Sequence, residues 1–301
     1  MTSGSPLRFS GIGWRAGEPV AIADAGRRRR IRVHIGLLLL TMGAVLAFCG
    51  WIVAAWQGLL WSVFAGAVVL TTVWRLPTDV FLRGMAARPL LPDEAPGLHA
   101  AIAELCRRAG LVTMPRLYHL AEPLPLAFSL GHGEAAAIVV ADCLLAGLSR
   151  RELDGIYAHE IVHLRGGDML LKQLGFALAA VTQMMSRLGL ILVLLAALAQ
   201  MLSPAQFPLL SLLLLAMAPV GASLLRLALS RVSEGEADLE AAELTGDPAA
   251  LASALGKIRR WEERRLRQIF PTGRILHLPT LLSDHPATEE RIRRLQEMSA
   301  P

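Results

Sequence analysis

The chain has 301 residues, of which 54% are hydrophobic, and its mean hydropathy is +0.48. This composition is too apolar for an ordinary soluble domain, and the apolar residues are concentrated in runs, which favours membrane-spanning segments. The formal net charge is +5, and among the 30 basic residues only Lys172 and Lys257 are lysines. Arginines beside apolar runs are typical of membrane orientation, and no aromatic residues are interleaved with them. We therefore expect a lipid bilayer and no nucleic acid as a partner.

The cysteines exclude two further classes of protein. Cys49 lies inside an apolar run, and Cys106 and Cys143 lie in segments predicted to be core. The three are an odd set with no C-x-x-C spacing, so we expect neither a disulfide framework nor a cysteine zinc site. A reducing compartment fits this pattern.

The first apolar region follows a basic leader, residues 1–33, that contains four consecutive arginines. Residues 34–74 are predicted to form a transmembrane hairpin with its turn at Gln57-Gly58. The first run is longer than a signal-peptide core and lacks an A-x-A cleavage site, so we expect a retained anchor. A lipoprotein signal ending at Cys49 is the alternative, but Phe48 stands where such signals need a small residue.

A second apolar region, residues 174–225, is predicted to form another transmembrane hairpin, interrupted at Ser203-Pro204. The alternative is a buried helical hairpin inside a soluble domain. With four spans, every arginine-rich flank lies on the same side as residues 75–173 and 226–301, and the positive-inside rule makes that side the cytoplasm. We therefore expect a multi-pass protein of the inner membrane with a cytoplasmic N-terminus.

The segments outside the apolar runs predict helices and a small sheet. Residues 96–110 are predicted to form an amphipathic helix, residues 116–120 a strand, and residues 135–141 a buried or edge strand. Ser149 and Glu152 form a capping-box pattern that opens the next helix. Gly246-Asp247-Pro248 is predicted to end one helix and begin another.

The helix after the capping box carries His159-Glu160-Ile161-Val162-His163, an H-E-x-x-H motif. Residues four apart share a helix face, so His159 and His163 can bind one Zn²⁺ ion together. Glu160 can reach a metal-bound water as general base. The surrounding residues are apolar, and burying two unpaired imidazoles and a carboxylate among them would be costly. The motif therefore predicts a zinc site.

A catalytic zinc takes three protein ligands, and the third must come from elsewhere in the chain. Met169 stands where the longer H-E-x-x-H-x-x-G-x-x-H pattern needs histidine, so a glutamate from a later helix is expected. Glu234 is the best candidate, and Asp238 shares its face and can orient one of the histidines.

Other polar residues are further candidates for this site. Glu236 and Glu240 are the alternative ligands on other faces of the same helix. Asp168 is either a hydrogen-bond partner of a zinc histidine or a loop carboxylate. His119 and His132 are interpreted as structural or surface residues.

Four segments in this order resemble the HtpX-type integral-membrane zinc metalloproteases, a family related to the CAAX prenyl proteases. The segments are Val139 to Leu145, Glu152 to Asp168 with the H-E-x-x-H motif, Glu234 to Asp238 followed by Leu244 to Pro248, and His285-Pro286 with Glu289 to Ile292. Two departures lie at Leu126-Ala127-Phe128, where the family has Asn-Ala-Phe, and at Ser233-Glu234-Gly235, where it has Arg-Glu-Tyr. These put the substrate preference in question rather than the metal site.

The resemblance implies one zinc ion bound by His159, His163 and Glu234, with Glu160 as base. It also implies that His285 approaches the metal, as an oxyanion donor or a movable fourth ligand. The strand near residues 135–141 is expected to bind extended substrate by strand addition. Protein or peptide substrates, above all membrane proteins, are expected, in a quality-control or processing role.

The expected fold is mainly α (α+β): four transmembrane helices and a gluzincin-like metalloprotease domain with a small β-sheet. Residues 75–173 supply the first half of this domain with the H-E-x-x-H helix, and residues 226–301 supply the second half with the third ligand. Two alternatives remain: an inactive membrane scaffold, and a protease of prenylated CAAX proteins.

Overall fold

The computed structural model describes residues 25–75, 78–121, 125–166, 177–191, 209–269 and 289–299. The chain divides into two compact units. The first consists of Met1–Ala25, Pro77–Met169 and Ser233–Pro301, and the second consists of Gly26–Leu76 and Leu170–Val232. His285 and Asp168 lie outside the described residues, as do residues 192–208 of the second predicted hairpin.

The described residues are mainly helical, with one small sheet. In chain order the elements are α1 (Ala25–Arg75), α2 (Thr78–Gly84), β1 (Arg88–Pro89), α3 (Pro96–Ala109), β2 (Arg116–Leu120), β3 (Ala127–Leu130), β4 (Ala137–Ala141), α4 (Asp142–Gly147), α5 (Arg150–Gly166), α6 (Ala177–Ile191), α7 (Leu209–Thr245), α8 (Pro248–Ile269) and α9 (Glu289–Ser299). The predicted helix at 96–110 and strand at 116–120 are confirmed within one residue.

The sheet belongs to the first unit and has the strand order β1-β2-β4-β3. Strand β2 runs parallel to β4, whereas β3 is antiparallel to β4, with Phe128 opposite Val139. Ile138 and Val140 of β4 join one apolar cluster, and Ala137 and Val139 join another on the opposite face. Strand β4 is therefore buried on both faces, which explains its unbroken run of apolar residues.

This order corrects one sequence-based expectation. Residues 135–141 were expected to offer an edge to substrate, but β4 is hydrogen-bonded on both sides, to β2 and to β3. An apolar run identifies a strand buried on both faces without showing its place in the sheet, since pairing depends on distant residues. Of the described strands, β3 forms the edge beside β4.

Helix α5 lies at the centre of the first unit. Every residue from Glu152 to Leu164 is buried, and α5 packs against α3, α8 and β3. A side chain at Gly155 would meet the backbone of Leu251 on α8 within 3.3 Å, so glycine permits this close helix crossing. These neighbours fix the position of α5 and with it the H-E-x-x-H motif.

The predicted capping pattern at the start of α5 is confirmed and extended. The Ser149 N–H donates to Glu152 Oε2 at 2.7 Å, which satisfies a free amide of the first turn. Ser253 Oγ and Lys257 Nζ of α8 donate to the same carboxylate at 2.6 and 2.7 Å. Burial raises the pKa of Glu152, but these donors outweigh it and hold the pKa at about 2. Glu152 thus both caps α5 and joins it to α8.

We expect Glu152→Gln to lower the stability of the fold by about 1–3 kcal/mol, because it weakens hydrogen bonds to a charged acceptor. The folded pKa lies below the ordinary value of 4.5, so this stabilisation is present above pH 4.5 and is lost as the pH falls towards 2. Melting temperatures in detergent between pH 3 and 7 test this. Exposed Glu134 is the matched control, and equal melting of Glu152→Gln and Glu134→Gln would contradict the role of Glu152.

Helix α1 reverses direction inside the second unit. Ala54 (φ −146°, ψ 34°) and Ala55 (φ 45°, ψ −126°) depart from helical geometry. A side chain on Gly50 would overlap Ser62, although twelve residues of straight helix span about 18 Å. The chain therefore folds back at Ala54-Ala55, slightly before the predicted turn at Gln57-Gly58.

The number of membrane-spanning helices also differs from the prediction. Among the described residues, two helices rather than four are long and apolar enough to cross a membrane, Val33–Val69 and Leu213–Thr245. The two runs of the first predicted hairpin are counted together as Val33–Val69, because only Ala54 and Ala55 interrupt the helical backbone between them. The described part of the third run, Ala177–Ile191, is a shorter apolar helix.

The last apolar run shows a further difference. The predicted fourth span and the helix that carries Glu234 are one continuous helix, α7, although Pro219 lies inside it. The predicted end of that helix is confirmed: Gly246 has φ 67° and Asp247 Oδ1 accepts the Ala250 N–H at 3.1 Å. No polar run separates the predicted fourth span from the helix that carries Glu234. The sequence pattern therefore gave no sign of whether the helix ends between them.

Candidate metal centre

The H-E-x-x-H helix meets the end of α7 in the interior of the first unit. His159, His163 and Glu234 expose 4%, 0% and 1% of their surface. His159 Nε2 lies 3.1 Å from His163 Nε2 and 3.2 Å from Glu234 Oε2, and His163 Nε2 lies 3.5 Å from Glu234 Oε1. One ligand atom from each residue therefore converges on a common point.

These separations fit a zinc ion. With bonds of 2.0–2.1 Å in tetrahedral geometry, neighbouring ligand atoms are about 3.3 Å apart. The observed separations of 3.1 to 3.5 Å, with each histidine measured to its nearer Glu234 oxygen, surround this value. Two imidazoles and one carboxylate also form a common donor set of catalytic zinc sites, in which a fourth position is kept for water.

Asp238 supports the site from behind His159. Its Oδ1 lies 3.0 Å from His159 Nδ1, the nitrogen that does not face the other candidate ligands. A carboxylate at this position fixes the orientation and tautomer of a metal-binding imidazole. Burial lowers the pKa of His159, but hydrogen bonds to Asp238 and Glu234 outweigh it and raise the pKa to about 9. A metal ion that bound His159 at Nε2 would displace the proton from that nitrogen.

Glu160 is buried in the same helix, with 2% of its surface exposed. Its Oε2 atom has no hydrogen-bond partner among the residues that the structure describes. An unsatisfied buried carboxylate oxygen is costly, so Oε2 is available to accept a hydrogen bond from a ligand or water. This environment suits a general base beside a metal site.

The other sequence candidates lie apart from this group of ligand atoms. Glu240 pairs with Arg165, and Glu236 is half-buried outside the group. His119 Nδ1 lies 2.9 Å from Asp142 Oδ1, and His132 is exposed on the turn before β4. The structure therefore brings together four carboxyl and imidazole groups that the sequence had singled out: His159, His163, Glu234 and Asp238.

Sequence reasoning missed the role of Arg291 of α9. This buried side chain donates from Nε and Nη2 to the two Asp238 carboxylate oxygens at 2.6 and 2.7 Å, and its Nη1 lies 3.0 Å from Glu234 Oε2. The neighbouring charges hold the pKa of Arg291 above its ordinary value despite burial, and they hold the pKa of Asp238 below its own. In the sequence, Arg291 stood out only as a member of the Glu289 to Ile292 segment, with no role of its own.

A buried H-E-x-x-H helix facing a glutamate from a later helix defines a class of protein, the metallopeptidases. Comparison with known proteins agrees: the profile of Peptidase family M48 matches residues 92–299. The chain belongs to peptidase family M48 and is a metallopeptidase. Two of its described helices are also long and apolar enough to cross a membrane.

Curated relatives of the chain are named as proteases. The chain is 33% identical over 277 residues to the protease HtpX homolog of Ralstonia nicotianae, covering 87% of this chain and 95% of the relative. It is 32% identical over 281 residues to that of Burkholderia ambifaria, with 89% and 96% covered. The HtpX homolog of Salinibacter ruber is 34% identical over 234 residues, with 74% and 81% covered. No solved structure matches the chain.

Proposed function

We propose that the protein is a zinc-dependent endopeptidase that cleaves membrane or membrane-associated proteins in quality control or processing. The convergence of His159, His163 and Glu234 within 3.1 to 3.5 Å, beside Glu160, carries this proposal. These three residues are the proposed ligands of one zinc ion. The protease relatives support the reaction class.

Each residue of the site has a distinct proposed role. Zinc, when bound, supplies a Lewis acid that lowers the pKa of water and polarises a carbonyl. Glu160 accepts the proton of the attacking water and returns it to the leaving amine. Asp238 holds the His159 ring by its Nδ1 atom. His285, which lies outside the described residues, is the proposed oxyanion donor or movable fourth ligand.

The edge of β3 is the proposed binding surface for extended substrate. The Ala141 N–H donates to the Leu126 carbonyl at 2.8 Å, so Leu126 and Ala141 form a hydrogen-bonded pair. In an antiparallel ladder the next residue, Ala127, directs its backbone groups away from β4, and Ala127 is half-buried rather than fully buried. Strand β3 also packs against α5. A peptide that adds to this edge would lie beside the H-E-x-x-H helix.

We expect Ala127→Pro to lower kcat/KM for peptides about fivefold to tenfold, mainly through KM, because it removes one outward N–H worth about 1 kcal/mol. Proline is tolerated on edge strands, so the fold and the metal content should persist. Ala127→Val keeps the N–H and is the matched control. Equal KM values for the two variants would exclude pairing at this residue.

The proposed location is the inner membrane, with the protein crossing it more than once and both the N-terminus and the metal centre in the cytoplasm. Large apolar side chains exposed in the second unit support membrane contact, since Leu40, Trp61 and Met184 each expose 67–70% of their surface. The arginines flanking the apolar runs support the orientation. A tag placed after Pro301 should be digested by external protease in inverted vesicles and protected in intact spheroplasts.

The function is tested with purified, detergent-solubilised protein. A misfolded membrane protein, casein and a prenylated CAAX peptide are offered as substrates, with and without a zinc chelator. We expect cleavage of the first two, loss of cleavage with chelator, and recovery when zinc is restored. Cleavage of the prenylated peptide alone would assign a different substrate class, and no cleavage of any substrate would contradict a protease.

A further inference from the structure

Arg291 has no place in the chemistry described above, although it is buried at the metal centre with 6% of its surface exposed. Its guanidinium group contacts two carboxylates of α7, those of Asp238 and Glu234. It makes two hydrogen bonds to Asp238 and lies 3.0 Å from Glu234 Oε2. A planar guanidinium group holds such a bridge in one geometry, which the single ammonium of lysine cannot reproduce.

The contact with Glu234 distinguishes its two oxygens. Oε2 lies 3.0 Å from Arg291 Nη1 and 3.2 Å from His159 Nε2, whereas Oε1 lies 3.5 Å from His163 Nε2. Because Glu234 Oε2 forms an ion pair with the guanidinium group, rotation of the carboxylate plane is restrained. Its orientation towards the point shared with the histidines is therefore set before any metal ion arrives.

Charge gives a second argument. Glu160, Glu234 and Asp238 are all buried, and three carboxylates carry one more negative charge than a divalent cation neutralises. Arg291 supplies the remaining positive charge when both histidines are neutral. Uncompensated buried charge is strongly unfavourable. The three carboxylates would therefore reach a net charge of zero only with both the divalent cation and Arg291 present.

We propose that Arg291 is a positioning residue of the metal centre: it fixes the orientation of Glu234 for metal binding and anchors Asp238 behind His159. Helix α9 is then a functional part of the metal centre as well as of the fold. This inference rests on the proposed function, since it requires a metal ion at His159, His163 and Glu234.

A purely structural role would be to hold α9 in place. Helix α9 also docks through Leu295, which is fully buried in the core, and through Ile292, which packs against it. Loss of an anchoring ion pair would lower the melting temperature without changing how a metal ion is coordinated. Metal affinity and coordination geometry therefore separate the two roles.

The experiment compares the full chain in detergent with Arg291→Lys and Arg291→Gln. Zinc affinity is measured by competition with a chromogenic chelator, and Co²⁺ is used to record the visible absorption that reports coordination geometry. Arg293→Gln is the matched control, because Arg293 is exposed on the same helix and pairs only with Glu290 and Glu297 among the described residues.

We expect Arg291→Lys to weaken zinc binding about tenfold and Arg291→Gln by up to about 100-fold, the range for residues that orient metal ligands. Both should change the Co²⁺ spectrum, and Arg293→Gln should match the wild type. Arg291→Lys keeps the charge, so it decides the question if Arg291→Gln does not fold. Wild-type affinity and spectrum in Arg291→Lys would overturn the role of Arg291 alone. A wild-type protein that binds neither metal would instead overturn the metal site itself.

Discussion

Replacing Glu160 by glutamine is expected to abolish detectable proteolysis while leaving metal binding intact. Glutamine preserves the size of the side chain but cannot accept the proton of the attacking water. General acid–base catalysis contributes about 10²- to 10⁴-fold, so kcat should fall by at least that range while zinc content stays at the wild-type level. Initial rates of casein cleavage and elemental analysis of the same preparations measure both quantities.

The control for this variant is Glu152→Gln, which changes a buried carboxylate of the same helix away from the metal centre. Its oxygens contact Ser149, Ser253 and Lys257 rather than the candidate ligands. At neutral pH and below its melting temperature it should retain most of its activity. Comparable activity of Glu160→Gln and the wild type would remove Glu160 from the mechanism.

Replacing Glu234 by alanine is expected to remove both metal and activity. Loss of one of three protein ligands should weaken zinc binding by more than the about 10- to 100-fold that follows loss of a residue behind a ligand. Zinc affinity by chelator competition is the measurement. This prediction distinguishes Glu234 as the third ligand from the other acidic residues of α7, which the sequence left open as alternatives.

The matched control is Glu236→Ala, two residues further along the same helix and outside the group of converging ligand atoms. It should bind zinc with wild-type affinity. If Glu236→Ala lost the metal and Glu234→Ala kept it, the third ligand would have been assigned to the wrong face of α7.

Local patterns predicted a large part of the fold, because their causes are local. The capping residues Ser149 and Glu152 lie in a single helical turn, and Gly246 and Asp247 mark the end of α7 and the start of α8 through backbone geometry and one hydrogen bond. The spacing of His159 and His163 placed two imidazoles on one helix face in the same way. Such features need no knowledge of distant residues.

Features that depend on residues distant in the sequence were harder to predict. The interior position of β4 follows from pairing with β2 and β3 on its two sides, and a wholly apolar run fits an interior or an edge strand. Arg291 meets Asp238 across 53 residues of sequence, and an arginine in a charged terminal helix is ordinarily solvated. The continuous helix α7 was divided because its apolar and acidic parts were interpreted as separate elements.

The central claim is that His159, His163 and Glu234 bind one zinc ion. The most direct test is the metal content of purified wild-type protein beside a His159→Ala/His163→Ala double variant, both checked for folding by circular dichroism. The account predicts one zinc ion per wild-type chain and none in the double variant. A folded wild type without bound metal, or equal metal in both proteins, would contradict it.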